Sequence, residues 1–280
     1  NQEVRLMEFA SKLLEATGKG YLSYSAIKYA ADDSKNQDMK LFELYMKGLL
    51  KKESDALIFG SLYDAMLLEP NSVNDKFIVI NDSEFVEGIS ADYKSPRSTK
   101  VYKEWLDGET KVALESGKKI ISMDDWNTAK DMINRLDNSE IIDQETGEVT
   151  SVRYYLTGTP QYEINSWIGE IPVRGFLDCY SPENGFISDS KSTRSIHGFR
   201  YDVGNFCYDI QAYIYTQVMG TNKFYWVVQE KSSPYLCGVY RASERSLQSG
   251  ERKFWSAIAN INNWLNNGNR TDSFALSGEI

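Results

Sequence analysis

The segment from Arg174 to Lys191 constrains the fold more than any other part of this chain. It reads R-G-F-L-D-C-Y-S-P-E-N-G-F-I-S-D-S-K, and two strand-like runs, Val173 to Tyr180 and Gly185 to Ser190, lie on either side of a turn-forming S-P-E-N-G sequence. Serine, proline, asparagine and glycine favour reverse turns. The segment therefore predicts a β-hairpin, and the chain must build a sheet around it.

Acidic residues lie near the ends of both predicted strands. Side chains alternate along a strand, so Asp189 and Lys191 share one side, with the backbone carbonyl of Ser190 between them. If the strands pair as a hairpin, Asp178 approaches Asp189. Carboxylates suit Mg²⁺ or Mn²⁺, and a neighbouring ammonium can orient a nucleophilic water. The chemistry that this pattern favours is phosphodiester hydrolysis, whereas an isolated D-x-K sequence is more often an ordinary surface ion pair, and the other motifs of the chain decide between the two.

Helical patterns dominate the first part of the chain. We expect helices over four ranges, the last ended by Pro70: Glu3 to Thr17, Ser23 or Ser25 to Ala31, Asp38 to Leu50, and Asp55 to Glu69. In the fourth helix, Asp64 shares an apolar face with Leu57 and Leu67. A carboxylate in that position needs a hydrogen-bond partner or a metal, unless it lies partly exposed at the edge of the stripe.

Shorter patterns occupy the region between residues 77 and 151. Phe77 to Ile80 predicts a strand, and Lys119 to Ser122 predicts an extended entry into a helix over 123–136. The polar stretch from Asn81 to Lys103 carries basic and aromatic side chains, and we interpret it as a loop that is either solvated or in contact with phosphates and bases. Asp137 to Ser151 is acidic and rich in turn residues, which predicts an exposed connection.

Strand patterns predominate after Gln161. We expect an antiparallel meander at the centre of a sheet, with strands Tyr162 to Ile168, Ile171 to Tyr180 and Phe186 to Ser190. Two later strands are expected over Lys223 to Glu230 and Tyr235 to Ala242, and two helices over Asn205 to Met219 and Ser243 to Asn266. Glu163, on the first strand, either reaches the acids of the hairpin or faces water.

These patterns predict one α/β domain over residues 1–280, with a mainly helical portion over 1–160 and a sheet core over 161–280 that carries the motifs. Hydrophobic residues make up 41% of the chain, as in ordinary globular proteins. The three cysteines lie far apart, which favours a reducing, cytoplasmic setting, and no apolar run approaches the roughly twenty residues of a membrane span. We therefore expect a soluble protein without membrane contact.

Two features of the composition limit the function. The net charge of −9 argues against a broad nucleic-acid-binding surface, although it permits a local basic channel. His197 is the only histidine, which excludes zinc sites that need two histidines.

Four motifs in order resemble a known family. They are G-S-L-Y-D-A-M-L-L-E-P from Gly60, R-G-F-L-D from Arg174, D-S-K-S-T from Asp189, and Y-D-I-Q-A-Y-I-Y from Tyr208. In this order they resemble the exonuclease VIII-like branch of the PD-(D/E)XK nuclease superfamily, which is related to lambda-type phage exonucleases. The resemblance extends from about Ser23 to the last predicted helix. It implies a central mixed β-sheet flanked by helices, as in restriction endonucleases.

The resemblance also implies roles for individual residues. Asp178 and Asp189 match the metal-binding acids of the family, with the Ser190 carbonyl as a further ligand, and Lys191 matches the catalytic lysine. Gln211 and Tyr215 match a Q-x-x-x-Y pair on the following helix.

One position departs from the family pattern. The exonuclease VIII branch has a metal-binding histidine where this chain has Asp64, in the motif that begins at Gly60. A carboxylate is a competent ligand for Mg²⁺ or Mn²⁺. Asp64 is therefore a candidate metal ligand, and Glu163 is an auxiliary one.

By resemblance, the expected activity is Mg²⁺- or Mn²⁺-dependent exonuclease action, 5′ to 3′, on the ends of double-stranded DNA in phage-type recombination. A homo-oligomeric ring and a single-strand annealing protein are the partners that the family suggests. Three alternatives stay open at this point: an endonuclease on the same scaffold, a nucleic-acid-binding module with a degenerate site, and a glycosidase that uses the carboxylate pair.

Overall fold

The computed structural model describes residues 2–35, 37–50, 54–143 and 146–268, with side chains from residue 8 onward. Its main feature is a five-stranded mixed sheet in the order β5-β6-β7-β8-β9. The strands of this sheet are β5 Thr159–Ile168, β6 Ile171–Ser181, β7 Phe186–Thr193, β8 Phe224–Glu230 and β9 Cys237–Arg241. Neighbouring strands are antiparallel except β7 and β8, which are parallel.

The predicted meander is present as β5, β6 and β7, but it does not form the centre of the sheet. Its first strand, β5, lies at one edge, and β7 is the middle strand. The reason is that β8 joins the sheet beside β7 in the parallel direction after a helical crossover, and β9 then extends the sheet further. The strand that carries Asp189 and Lys191 is thus the one flanked by two strands on each side.

Helices cover both faces of the sheet. They are α1 Gln2–Thr17, α2 Tyr24–Ile27, α3 Met39–Met46, α4 Asp55–Leu68, α5 Val73–Lys76, α6 Ser83–Ile89, α7 Lys100–Glu115, α8 Met123–Asp137, α9 Phe199–Asn205, α10 Tyr208–Met219 and α11 Glu244–Asn266. Several begin at a serine whose side chain accepts a hydrogen bond from the first turn, among them Ser23, Ser54 and Ser243. This capping explains why the sequence locates these helix starts well.

The predicted loop from Asn81 to Lys103 is wrong. It contains α6, and α7 begins within it at Lys100. Phe85 on α6 stacks on Trp105 of α7, with 4.6 Å between ring centroids. These aromatic side chains pack on each other, and that contact holds two helices together in a stretch whose polar composition favours a loop.

Two other segments differ from the prediction. The connection from Asp137 to Ser151 includes an antiparallel pair, β3 Glu140–Ile142 and β4 Val149–Ser151. The helix predicted over Asn205 to Met219 begins only at Tyr208, because Cys207 has a left-handed backbone with φ of 59° and separates α10 from α9. Gly220 ends α10 with φ of 64°, as the sequence predicts.

A separate small sheet and two hydrophobic cores complete the architecture. β1 Phe77–Ile80 pairs in parallel with β2 Lys119–Ser122. One core contains buried residues of α10 and α11, including Ile210, Ile214 and Ile258, and the other contains residues of α4 and α8, including Leu62 and Met132. Within the described ranges, no helix is both long and apolar enough to cross a membrane.

A buried ion pair joins α10 to α11. The ammonium of Lys253 lies 2.8 Å from Asp209, and these residues are only 5% and 2% exposed. Ser249 donates a further hydrogen bond to the same carboxylate at 2.8 Å. The two helices approach closely because Gly250 has no side chain: a Cβ atom there would lie 2.1 Å from the backbone oxygen of Asp209.

We therefore expect Gly250→Ala to lower the free energy of unfolding by about 3 kcal/mol, since the added methyl group forces the two helices apart. Urea denaturation measures this change. Gly108→Ala is the matched control, because Gly108 lies in α7 with nothing within 4 Å of its missing Cβ. That substitution is expected to stabilise the protein by about 0.5–1 kcal/mol. Equal stability of the two variants would contradict the close approach.

Candidate active site

The hairpin of β6 and β7 brings Asp178 and Asp189 to the same place in the sheet. The antiparallel ladder ends at the pair Cys179 with Ser188, and Asp178 and Asp189 come directly beyond this pair on the two strands. One carboxylate oxygen of Asp178 accepts a hydrogen bond from the backbone N–H of Ser190 at 2.9 Å. This bond fixes the Asp178 side chain against the neighbouring strand.

Asp189 lies at the centre of the site and is only 1% exposed. The ammonium of Lys191 forms an ion pair with its Oδ2 atom. The side-chain amide of Gln211 donates a hydrogen bond to its Oδ1 atom at 2.6 Å. One strand and one helix, β7 and α10, therefore hold this carboxylate from two sides.

Lys191 is held among acids and one aromatic ring. Its Nζ atom lies 5.0 Å from the ring centroid of Tyr208 and 3.4 Å from the backbone carbonyl of Ser190. Burial lowers the pKa of Lys191, but the negative charges of Asp189 and Asp178 outweigh burial and raise this pKa above its ordinary value. The raised pKa favours the charged ammonium, which in this position can donate hydrogen bonds.

Asp64 reaches the same cluster from α4. Burial raises the pKa of this half-buried carboxyl to about 7, the charge of Lys191 lowers it, and the charge of Asp189 raises it. Burial also raises the pKa of Asp178, together with the charges of Asp189 and Asp64. The three acids thus lie within electrostatic range of one another and of one lysine.

α4 is positioned by packing and by one long-range hydrogen bond. Phe59, Leu62 and Tyr63 are buried in the core between α4 and α8. The hydroxyl of Tyr63 donates to the side-chain oxygen of Gln229 on β8 at 2.6 Å. Since Asp64 directly follows Tyr63, this bond limits where the Asp64 carboxylate can lie.

The three carboxylates fit a divalent cation, although they do not form a closed set of ligands. Among the described residues, no group of three or more His, Cys, Asp or Glu side chains is arranged as a formed metal site. Burial is the largest cause of the raised pKa values of Asp64 and Asp178, and the negative charge of Asp189 raises both further. A cation between hard oxygen ligands would relieve this repulsion. The residues present are therefore suitable for Mg²⁺ or Mn²⁺.

Three tyrosines surround this cluster. Tyr215 lies on α10 one turn beyond Gln211, and its ring would be 3.1 Å from a Cβ atom at Gly175 on β6. Burial raises the pKa of Tyr215, as do the charges of Asp189 and Asp178. Tyr24 and Tyr208 were not identified from the sequence. Tyr24 lies in α2, far away in the chain, and its hydroxyl donates to the backbone oxygen of Phe206 at 2.7 Å.

Glu163 is not part of the cluster. Its carboxylate is exposed and forms an ion pair with Arg174 at 2.7 Å, and Arg174 also lies over the ring of Tyr21. The single histidine, His197, is exposed in the segment that follows β7. Of the residues predicted for the site, the structure thus brings together Asp64, Asp178, Asp189, Ser190, Lys191, Gln211 and Tyr215.

Two clefts meet this cluster. One has a volume of about 500 Å³ and is lined by residues that include Asp64, Asp178 and Lys119. The other has a volume of about 460 Å³ and is lined by residues that include Tyr24 and Tyr215. The site is therefore open to an extended ligand from more than one direction.

Comparison with known proteins places the chain in a family. Residues 23–273 match the model of a family described as "PDDEXK-like domain of unknown function (DUF3799)". The chain belongs to this family. Among solved structures, the fold is similar to that of a "Putative exonuclease" from Eubacterium rectale, with a TM-score of 0.61 and 17% sequence identity over 96% of this chain and 93% of that chain. No curated protein matches the chain.

Membership of the PDDEXK-like family confirms the superfamily that the sequence motifs indicate. The fold is the predicted one, a mixed central sheet flanked by helices. Both findings support a nuclease. Divalent metals are the general cofactors of PD-(D/E)XK nucleases, in agreement with the oxygen-rich cluster described above.

The raised pKa of Asp64 predicts a pH-dependent loss of stability. Its pKa in the folded protein is about 7 against an ordinary value of 3.8, so between these values the folded state holds a proton that the unfolded state releases. Stability therefore falls as pH rises through this window. We expect Asp64→Asn to match the wild type near pH 4 and to exceed it by roughly 2 kcal/mol above pH 7, after allowance for partial solvent screening.

Urea denaturation at a series of pH values, with a chelator present, measures this difference. Ser61→Ala is the control, since Ser61 lies in the same helix, lines the same cleft and carries no titratable group. A constant difference between Asp64→Asn and wild type at all pH values would contradict the prediction.

Proposed function

We propose that this protein is a metal-dependent deoxyribonuclease that degrades linear double-stranded DNA from its ends. The observation that carries the proposal is the arrangement around Asp189, whose two oxygens are held by Lys191 and Gln211 while Asp178 lies beside it on the next strand. This arrangement offers carboxylates for a cation and one ammonium directed at the same point. Both groups can stabilise the negative charge that develops during phosphodiester hydrolysis.

Asp64, Asp178 and Asp189, with the Ser190 carbonyl, are the groups that would hold Mg²⁺ or Mn²⁺. When bound, the metal supplies Lewis-acid stabilisation of negative charge on the phosphate oxygens. Gln211 fixes the orientation of Asp189 through its hydrogen bond. Tyr215, next to Gly175, lies on the side of the cluster that faces the second cleft.

The role of Lys191 follows from its charge. Because its pKa is raised by the neighbouring acids, the ammonium keeps its protons. It can therefore donate a hydrogen bond to the attacking water or to the phosphate oxygen that gains charge. We assign Lys191 to positioning and charge stabilisation, and not to removal of a proton from the water.

The finer parts of the proposal are supported by motif resemblance. They are the 5′ to 3′ direction, the exonuclease mode, a homo-oligomeric ring, a single-strand annealing partner and a role in phage-type recombination in the cytoplasm. The exonuclease mode has further support, because the solved structure with a similar fold is called a "Putative exonuclease".

The decisive assay compares linear duplex DNA, labelled at either end, with a closed circle. We expect Mg²⁺- or Mn²⁺-dependent loss of the linear form alone. Lys191→Met is expected to reduce the rate by about 10²–10³-fold, since it removes a hydrogen-bond donor to the transition state and keeps an apolar side chain of similar length. Lys12→Met is the control, because Lys12 lies on α1 and pairs with Glu8.

The outcomes of this assay separate the alternatives. Cutting of the circle would identify an endonuclease on the same scaffold. Absence of cleavage by the wild type would contradict the enzyme proposal and favour a nucleic-acid-binding module with a degenerate site.

Metal binding gives an independent test. At a Mg²⁺ or Mn²⁺ concentration near 100 times the dissociation constant, bound metal adds about 2.7 kcal/mol to stability, which corresponds to a rise in Tm of about 5 °C. Asp178→Asn is expected to lose this rise. Asp75→Asn should keep it, because Asp75 lines the same cleft but is not part of the acid cluster. Differential scanning fluorimetry gives the measurement, and equal shifts for both variants would contradict the assignment.

A further inference from the structure

One face of α10 contacts both charged residues of the D-x-K sequence. The side-chain amide of Gln211 donates to Asp189 at 2.6 Å, and the centroid of the Tyr208 ring lies 5.0 Å from the Nζ atom of Lys191. Gln211 follows Tyr208 by three residues, so the two side chains lie on the same side of the helix. α10 therefore supports Lys191 as well as Asp189, and the partner that it offers to Lys191 is an aromatic ring.

The ammonium of Lys191 has little contact with water, because its side chain is only 18% exposed. Two oxygen atoms accept from it, Oδ2 of Asp189 and the backbone carbonyl oxygen of Ser190 at 3.4 Å. An ammonium has three donors, so these two acceptors leave one N–H without an oxygen partner. The face of the Tyr208 ring can take that third position. A cation–π contact stabilises an ammonium more strongly when water is excluded from it.

Packing fixes the ring of Tyr208 independently of Lys191. The ring stacks on Phe199, with 6.0 Å between ring centroids and 25° between ring planes, and Phe206 lies 5.8 Å away on the same measure. Phe199 is itself only 2% exposed. The left-handed backbone of Cys207 sets the start of α10 directly before Tyr208. The ring is therefore held in place by the fold, as a group that positions another side chain must be.

The ring, and not the hydroxyl, is the part of Tyr208 that contacts the site. Among the described residues, no hydrogen bond is made by this hydroxyl. Tyr208 also lines neither of the two clefts that meet the acid cluster. It is thus placed to act on Lys191 and not on a bound substrate.

We propose that Tyr208 is a positioning residue, whose ring face holds the ammonium of Lys191 in the place from which it donates to the substrate. This inference rests on the proposed nuclease function and adds to it the group that orients the lysine. An ammonium is a point charge on a flexible four-carbon stem, so the ion pair with Asp189 alone leaves it several arrangements. Contact with a fixed ring reduces their number.

The first test varies the residue at position 208 and measures kcat and KM for cleavage of linear duplex DNA. Tyr208→Leu removes the ring and is expected to lower kcat about tenfold with KM unchanged, since the contact with a desolvated ammonium is lost and the clefts stay the same. Tyr208→Phe keeps the ring, and its kcat should stay within about twofold of the wild type. Replacement of Tyr208 by trifluorophenylalanine keeps the shape of phenylalanine but draws electron density from the ring face, so kcat should fall about fivefold below that of Tyr208→Phe.

Tyr240→Leu is the matched control. Tyr240 also stacks on Phe199, with 5.7 Å between ring centroids and 29° between ring planes. This substitution therefore removes an equivalent aromatic contact from Phe199 and leaves the contact between Tyr208 and Lys191 in place. We expect kcat close to that of the wild type, and circular dichroism melting shows whether each variant folds. Equal losses in Tyr208→Leu and Tyr240→Leu, or equal kcat for the phenylalanine and trifluorophenylalanine variants, would overturn the positioning role.

NMR of protein with isotope-labelled lysine gives a second readout that does not depend on cleavage. The protons next to the Lys191 ammonium lie over the Tyr208 ring, so their signal should be shifted upfield, and Lys191→Met identifies this signal by its loss. The upfield shift is expected to disappear in Tyr208→Leu and to remain in Tyr208→Phe and in Tyr240→Leu. Absence of the shift in the wild type would overturn the proposal.

The two measurements separate this role from the proposed nuclease function. If the wild type cleaves linear DNA but the variants at position 208 behave like the control, the positioning role is wrong and the nuclease stands. If the wild type does not cleave, the enzyme proposal fails, and the NMR signal alone decides whether Tyr208 holds the ammonium.

Discussion

The site depends on one electrostatic interaction, in which the ammonium of Lys191 lies among the carboxyl groups of Asp64, Asp178 and Asp189. Asp189 is almost completely buried, and burial of an ionised carboxylate is tolerated only with a charged or hydrogen-bonded partner. Lys191 supplies the charge and Gln211 the hydrogen bond. Burial, together with the negative charge of Asp189, raises the pKa values of the remaining acids, Asp64 and Asp178. The site is therefore electrostatically prepared for a cation.

The scaffold brings together residues that lie far apart in the chain. The β6–β7 hairpin contributes Asp178 and Asp189, α4 contributes Asp64, and α10 contributes Gln211. The two helices are each fixed by a contact outside the site. α4 is held by the hydrogen bond from Tyr63 to β8, and α10 is held by the ion pair from its first turn to α11. Local geometry at the acids thus depends on packing across the whole sheet.

Much of this site is visible in the sequence because it follows local periodicity. Alternation along a strand places Asp189 beside Lys191, and helical spacing places Gln211 and Tyr215 on one face. The contact of Tyr24 with this region could not be predicted, since it depends on how α2 packs, and no short-range pattern encodes that. The break before α10 was missed for a similar reason: a left-handed backbone at Cys207, a residue other than glycine, has no sequence signature.

The ion pair between Asp209 and Lys253 has a consequence for how the chain can be divided. Asp209 lies two residues before Gln211, and its partner comes from the last described helix, more than forty positions later in the chain. A fragment that ends after β9 would contain every acid of the cluster and its lysine, yet it would leave the Asp209 carboxylate buried beside an empty groove. The minimal catalytic fragment therefore extends well beyond the last motif residue, and its boundary is set by a residue that never touches a phosphate.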